Sequence, residues 1–273
     1  MKRLLACLGL LAACLAQDPI FVVKDFNLSQ ILDKDFTPQR LAVLGDDRFV
    51  LVDQNSNELV LISDGEIIRR TGGFGQSGES FTEPVDVIAH NLQIWVCDRY
   101  ENSVKLFDHK LNFLGVNNID FNENNSFLPD FIAPDPFGNI LVLSRQYGQL
   151  LSLDNPFQSI IDLNQYGMDG SCISDLKTDN AGNIALLNCE NKITIFNRFG
   201  RKSKTSIINI KDPIQILTWL NNWVAINSKG EMESIDGHIE VLPIRENETV
   251  VDTDVYFKYI ILLTDQRILV LKY

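Results

Sequence analysis

Ile94-Trp-Val-Cys-Asp98 is a run of four apolar residues closed by a carboxylate, and it recurs along the chain. Phe49-Val-Leu-Val-Asp53 precedes it. Ile140-Leu-Val-Leu-Ser144, Ile184-Ala-Leu-Leu-Asn188, Trp223-Val-Ala-Ile-Asn227 and Ile260-Ile-Leu-Leu-Thr264 follow it. The closing polar residues stand 45, 46, 44, 39 and 37 positions apart. Short runs rich in Val, Ile and Leu and bounded by turn residues read as strands. Because four successive residues are apolar, both faces of each strand must be buried, as in a sheet stacked between two other sheets.

Outward from each run, a polar turn leads to a second apolar segment: Leu59-Val-Leu-Ile62, Val104-Lys-Leu-Phe107, Leu150-Leu-Ser-Leu153, Ile193-Thr-Ile-Phe196, Met232-Glu-Ser-Ile235 and Ile268-Leu-Val-Leu271. No long segment carries a 3.6-residue period, so little helix is expected. A four-stranded unit of about 40 to 45 residues is the size of one propeller blade. Six such units account for residues 20–273. The last unit, from Val250 to Tyr273, has room for only three strands, and Phe21-Val-Val-Lys-Asp25 at the other end can supply the fourth. That exchange closes the ring and removes the exposed edges of an open array. The expected fold class is all-β: a single six-bladed β-propeller whose last blade is closed by the N-terminal strand.

One unit resembles a known repeat. Gly72-Gly-Phe-Gly75, Phe81-Thr-Glu-Pro84, Ile94-Trp-Val-Cys-Asp98 and Asn102-Ser-Val-Lys-Leu-Phe-Asp108 follow one another in the order of an NHL repeat, which residues 72–115 resemble. The units beginning near Pro38 and Pro129 share part of the pattern, and the last two share only its hydrophobic alternation. The resemblance implies an NHL-like six-bladed propeller over most of the chain. Such propellers mostly bind proteins or ligands and sometimes catalyse, so the fold leaves the function open.

The amino end reads as a targeting segment. Met1-Lys2-Arg3 is followed by an apolar stretch from Leu4 to Leu15, broken only by Gly9. It is too short to span a bilayer, which takes about 20 residues, and has the layout of a secretory signal. Two processing readings stand open. Leu11-Ala-Ala-Cys14 resembles a bacterial lipobox, which would end the segment at residue 13 and leave Cys14 lipidated; ordinary cleavage after Ala16 would end it at residue 16. The expected location is the periplasm or cell envelope of a bacterium, soluble or lipid-anchored, with no transmembrane helix and as a monomer. Cys97, Cys172 and Cys189 remain beyond this segment, an odd number without C-x-x-C spacing. A disulfide framework is therefore not expected, a single bridge stays open, and Cys97 and Cys189, in strand-like runs, read as small buried hydrophobes.

Charge narrows the partners. With 24 Lys and Arg against 36 Asp and Glu, the net charge is −12, which argues against a nucleic-acid surface. Superposing the repeats puts Asp86, Asp130, Asp175, Gln215 and Asp252 at matching places on the innermost strand, with Gln39 or Arg40 in the first unit. Four carboxylates about one axis suit a hard cation such as Ca²⁺ or a cationic ligand. They equally suit turn caps or bonds to a neighbouring blade's backbone, and no cofactor is required by the pattern. His90 and His109 fall in expected turns, and His238 follows Asp236-Gly237, so a His-ligated zinc site is not expected. There is no Gly-x-Ser-x-Gly elbow. The Gly-rich stretch from Gly72 to Gly78 has no helix pattern behind it to form a phosphate loop. Trp95 and Trp223 read as core, whereas Trp219 is expected to be partly exposed.

The function expected from these features is a non-catalytic binding or scaffold protein of the bacterial envelope, taking a protein or small ligand at a propeller face. Two alternatives accompany it: a metal-dependent, lactonase-like hydrolase with the Asp ring as ligands, and a carbohydrate-binding propeller that uses Trp219.

Overall fold

The computed structural model describes residues 20–119 and 126–272. The expected targeting segment, residues 1–16 or 1–13, and Cys14 lie outside them. The first strand, β1 (Phe21–Asn27), leads through one helical turn, α1 (Leu28–Ile31), into blade 1: β2 (Arg40–Gly45), β3 (Arg48–Asp53), β4 (Glu58–Ser63) and β5 (Glu66–Gly72). Blade 2 is β6 (Pro84–His90), β7 (Gln93–Asp98), β8 (Ser103–Asp108) and β9 (Phe113–Asn118). Blade 3 is β10 (Phe131–Pro134), β11 (Ile140–Ser144), β12 (Gln149–Ser152) and β13 (Asn155–Asp162). Blade 4 is β14 (Ile173–Thr178), β15 (Ile184–Asn188), β16 (Lys192–Phe196) and β17 (Lys202–Ile207). Blade 5 is β18 (Pro213–Trp219), β19 (Asn222–Asn227), β20 (Glu231–Ser234) and β21 (Ile239–Val241). Blade 6 is β22 (Val250–Tyr256), β23 (Tyr259–Thr264) and β24 (Arg267–Lys272), with β1 as its outer strand.

Each inner strand touches the next one around the axis, and β22 touches β2, so the six blades form a closed ring. The repeated apolar run explains why. In β3, Phe49 and Leu51 pack toward blade 6 while Val50 and Val52 pack toward blade 2. In β11, Ile140 and Val142 face blade 2 while Leu141 and Leu143 face blade 4. Side chains alternate sides along a strand, so a run with no polar break is what a sheet between two sheets requires. The core is thus six separate seams, one between each pair of consecutive blades.

The polar residue closing each run holds backbone N–H groups of the turn that follows it, of the segment that enters its own blade, or of both. Asp53 accepts N–H bonds from Asn55 (2.8 Å) and from Thr37 (3.0 Å) before the inner strand. Asp98 accepts from Thr82 and Glu83, both at 3.0 Å. Asn188, Asn227 and Thr264 hold their own turns in the same way.

Ring closure rests on β1 pairing antiparallel with β24, from Phe21↔Lys272 to Asn27↔Arg267. Arg267 anchors that seam. Its guanidinium grips both oxygens of buried Glu248 at 2.7 and 2.8 Å and also reaches Asp25 of β1 at 2.5 Å.

The reading of Cys189 as a lone buried hydrophobe is corrected, and the single bridge left open is present. Cys172 and Cys189 form a disulfide, with their Cα atoms 5.1 Å apart. It ties the turn after β15 to the short 3-10 turn Gly170–Cys172 ahead of β14. Cys97 is free and buried. Among the described residues no helix is long and apolar enough to cross a membrane.

Candidate functional site

The inner strands β2, β6, β10, β14, β18 and β22 surround the channel. In each, one residue pairs by register with the position just before the closing polar residue: Arg40 with Val52, Asp86 with Cys97, Phe131 with Leu143, Asp175 with Leu187, Gln215 with Ile226 and Asp252 with Leu263. Sequence alignment of the repeats therefore finds this layer, with one slip. Blades 2, 4, 5 and 6 carry a β-bulge at the start of the inner strand, and blade 3 does not. Asp130 consequently stands one place before β10, where it accepts the N–H of Arg145 in its own blade at 2.7 Å and faces Arg99 at 3.4 Å.

The rest of the layer straps blades together. Asp86 accepts the Ile132 N–H of blade 3 at 2.9 Å, Asp175 the Ile216 N–H of blade 5 at 2.8 Å, and Asp252 the Leu41 N–H of blade 1 at 2.6 Å. Arg40 donates to the Val85 carbonyl of blade 2 at 3.1 Å, and Thr178 of blade 4 donates to the Pro134 carbonyl of blade 3. Gln215 of blade 5 donates to Asp252 and accepts from Thr253 (3.0 Å), both in blade 6. Every seam thus has a side-chain bond. The carboxylates are aimed at backbone N–H groups, and among the described residues no group of three or more His, Cys, Asp or Glu is placed to hold a metal ion.

Two residues further along each strand, on the same face, the layer reads Ala42, Ile88, Ala133, Lys177, Leu217 and Asp254. It is apolar except for one cation and one carboxylate. Lys177 and Asp254, with Ile88, Ala133 and Leu217, line a cavity of about 160 Å³. Asp254 accepts N–H bonds from Val43 (2.9 Å) and from Val255 (2.8 Å). The Lys177 ammonium makes no hydrogen bond or close ion pair with any described residue. Its ammonium stands in the field of carboxylates that are themselves already bonded to backbone.

The electrostatics follow from this crowding. Burial opposes the charge on Lys177, but Asp175, Asp252, Asp254 and Asp86 more than offset it and raise its pKa. Burial raises Asp254, against the pull of Lys177 and two N–H bonds. Burial also brings Asp175 up to about 7, with Asp86 and Asp252 adding to the shift and Lys177 opposing it. Asp86 is raised by burial against the attraction of Arg40. The channel therefore holds a permanent cation beside carboxyl groups whose affinity for a proton is enhanced.

Three other expectations meet the structure here. Trp219 is buried, at 5% exposure, and offers no open ring to a sugar. His90 ends the inner strand β6 rather than lying in a turn, and its Nε2 is 2.9 Å from the Asn91 amide. Burial lowers its pKa. His109 lies in a turn as expected, and His238 stands between Gly237 and the last strand of blade 5. Lys177 and Asp254 escaped the sequence reading, although Asp175-Leu-Lys177 and Asp252-Thr-Asp254 show the signal: polar residues two apart on a strand share a face.

No protein-family model matches the chain, and no curated protein matches it. Solved structures do. A catalytically inactive histidine-to-alanine variant of virginiamycin B lyase from Staphylococcus aureus, with quinupristin, matches with a TM-score of 0.67 and 11% identity over 93% of this chain and 99% of that one. A streptogramin B lyase matches with a TM-score of 0.66 and 14% identity, over 93% and 97%. The WD40 β-propeller domain of Doa1 matches with a TM-score of 0.57 and 12% identity, over 92% and 97%. At these identities the likeness is one of fold. The propellers it matches at the highest TM-scores given are nonetheless enzymes, which corrects the expectation of a non-catalytic scaffold.

Proposed function

We propose that this chain is a lyase that works in the propeller channel, with Lys177 and Asp254 as its reacting groups. The observation that carries the reading is the placement of one carboxylate and one ammonium, without a bonded partner among the described residues, in an otherwise apolar layer open to a cavity. Such a pair suits proton abstraction next to a carbonyl. Lys177 donates a hydrogen bond to the carbonyl oxygen and stabilises the negative charge that develops there. Asp254, its pKa raised by burial, accepts the proton from the neighbouring carbon. The electron pair of that C–H bond becomes a carbon–carbon double bond as the bond to the β-oxygen breaks, and the departing oxygen takes the proton from Asp254. Nothing is oxidised, and water is not consumed. The same chemistry needs no metal ligands, which agrees with the engagement of the Asp ring by backbone. The NHL resemblance of residues 72–115 remains part of this reading as a proposal of ancestry.

The lyases with this fold make quinupristin the first compound to test. Incubation should yield a product of unchanged mass with a new double bond, and Lys177→Met and Asp254→Asn should each abolish it while leaving the fold intact. A product heavier by one water would mean hydrolysis and refute the elimination. Full activity in either variant would remove that residue from the chemistry.

A further inference from the structure

The hairpins that join the first and second strands of the blades all emerge on one face, around the mouth above Lys177 and Asp254. Four of them carry large apolar side chains at their tips: Leu92, Phe137, Leu220 and Phe257. All four are exposed, Phe257 at 84%. Three are also in an unfavourable backbone conformation, with φ of 62° at Leu92, 49° at Leu220 and 52° at Phe257. Tight hairpins ordinarily place Asn, Asp or Gly at such positions, because bulky residues are strained there. Leu92, Leu220 and Phe257 are thus disfavoured twice, by backbone and by water.

The tips stand beside open space. The hairpins of blades 4, 5 and 6 enclose a cavity of about 840 Å³ that reaches Leu220 and Phe257. Its wall shares Thr218 and Val255 with the smaller channel cavity that holds Lys177 and Asp254. Volumes of this order accommodate a small ligand rather than a protein surface.

We propose that this rim and channel form one binding funnel for a small, largely apolar molecule that carries an un-ionised carbonyl. The rim covers the apolar body, and the Lys177 ammonium meets the carbonyl oxygen. A carboxylate at the same place would face Asp86, Asp175, Asp252 and Asp254 against only Arg40 and Lys177, and is repelled. The inference rests on the proposed channel chemistry for its polar end and on the hairpin tips for its apolar end.

The test uses N-phenyl-1-naphthylamine, a neutral fluorescent probe, on the full chain. Leu220→Asn and Phe257→Gly suit their left-handed backbone, so both variants should fold. Each should weaken probe binding at least about fivefold, since apolar contact area is lost. Methyl decanoate should displace the probe at lower concentration than decanoate. Absence of probe binding, wild-type affinity in both rim variants, or equal displacement by the two competitors would overturn the proposal. Lys177→Met separates the two readings. If it keeps rim-dependent probe binding and also keeps turnover of quinupristin, the funnel stands and the proposed chemistry falls.

Discussion

Glu248→Gln tests the closure of the ring. The Glu248 side chain is fully buried and holds Arg267 through two bonds, while Thr264 donates to it at 2.6 Å. Burial by itself works against its charge, but Arg267, Thr264 and the Arg245 N–H bring its pKa down from 4.5 to about 2. At about 1.4 kcal/mol per unit, that difference is worth about 3 kcal/mol of folding free energy, in line with breaking one side of a buried pair. The sign follows from linkage. The native carboxylate takes a proton only near pH 2, the unfolded one near 4.5, so the contribution is complete above about pH 4.5 and fades as pH falls to about 2. Arg267, its own pKa raised, stays charged throughout. Urea unfolding at pH 7 should find Glu248→Gln less stable than the parent by about 3 kcal/mol. The same measurement between pH 5 and 2 should show the gap closing, because other titrating groups cancel between the two proteins. Amide exchange in β1, which Arg267 holds through Asp25, should accelerate in the variant. A gap that stays constant down to pH 2, or β1 amides as protected as in the parent, would refute the assignment of ring closure to this network.

Asp175 titrates with the opposite sign. Its folded pKa of about 7 lies above the ordinary 3.8, so it costs stability as pH rises through that interval; Asp175→Asn, whose amide oxygen can still accept the Ile216 N–H, should gain on the parent from pH 4 to pH 8 in unfolding titrations. Replacing Cys172 and Cys189 together by Ala opens a loop with a sequence separation of 17 and should cost about 3 kcal/mol in chemical denaturation. Leu220→Asn and Phe257→Gly should raise thermal stability slightly, by about 1 kcal/mol each in unfolding free energy, through relief of the left-handed backbone; destabilisation would show that the tips pack against the protein rather than await a ligand.

The architecture was legible because a propeller writes its packing into every repeat. An uninterrupted run such as Phe49-Val-Leu-Val-Asp53 can be buried on both faces only between two sheets, and the three-strand remainder at Val250 demands a strand from the other end. The channel was legible at one depth only. A single equivalent position per repeat locates Asp86, Asp175, Gln215 and Asp252, but spacing does not reveal a bulge, so Asp130 looks equivalent although blade 3 lacks the extra residue. The disulfide was hidden for a related reason. Cys189 follows the second strand of blade 4, and only the fold returns it to the segment that enters the same blade. Trp219 misled because its surroundings, Leu217-Thr-Trp-Leu-Asn-Asn222, look like a loop, whereas the strand runs to Trp219 and turns at Leu220 and Asn221.

On the proposed reading, the two layers of the channel divide the work between stability and chemistry. In the first, each polar side chain bonds its neighbour across a seam, so removing one disturbs the ring before it disturbs any reaction. In the second, Ala133 leaves room, Ile88 and Leu217 exclude water, and the Lys177 ammonium is committed to no partner among the described residues. An uncommitted ammonium in a buried layer is costly unless a field supports it, and here the first layer supplies that field: Asp86, Asp175 and Asp252 hold backbone with their oxygens and Lys177 with their charge. The carboxylates that the sequence offers either as cation ligands or as bonds to a neighbouring blade's backbone make those bonds here and, on the proposed reading, also act on Lys177 from behind the site. Neutralising one of them, as in Asp86→Asn, should leave the seam bond to Ile132 in place and lower the pKa of Lys177. A Lys177 that titrates unchanged in that variant, followed by NMR of its side-chain amine, would separate the two layers and leave the first as structure alone.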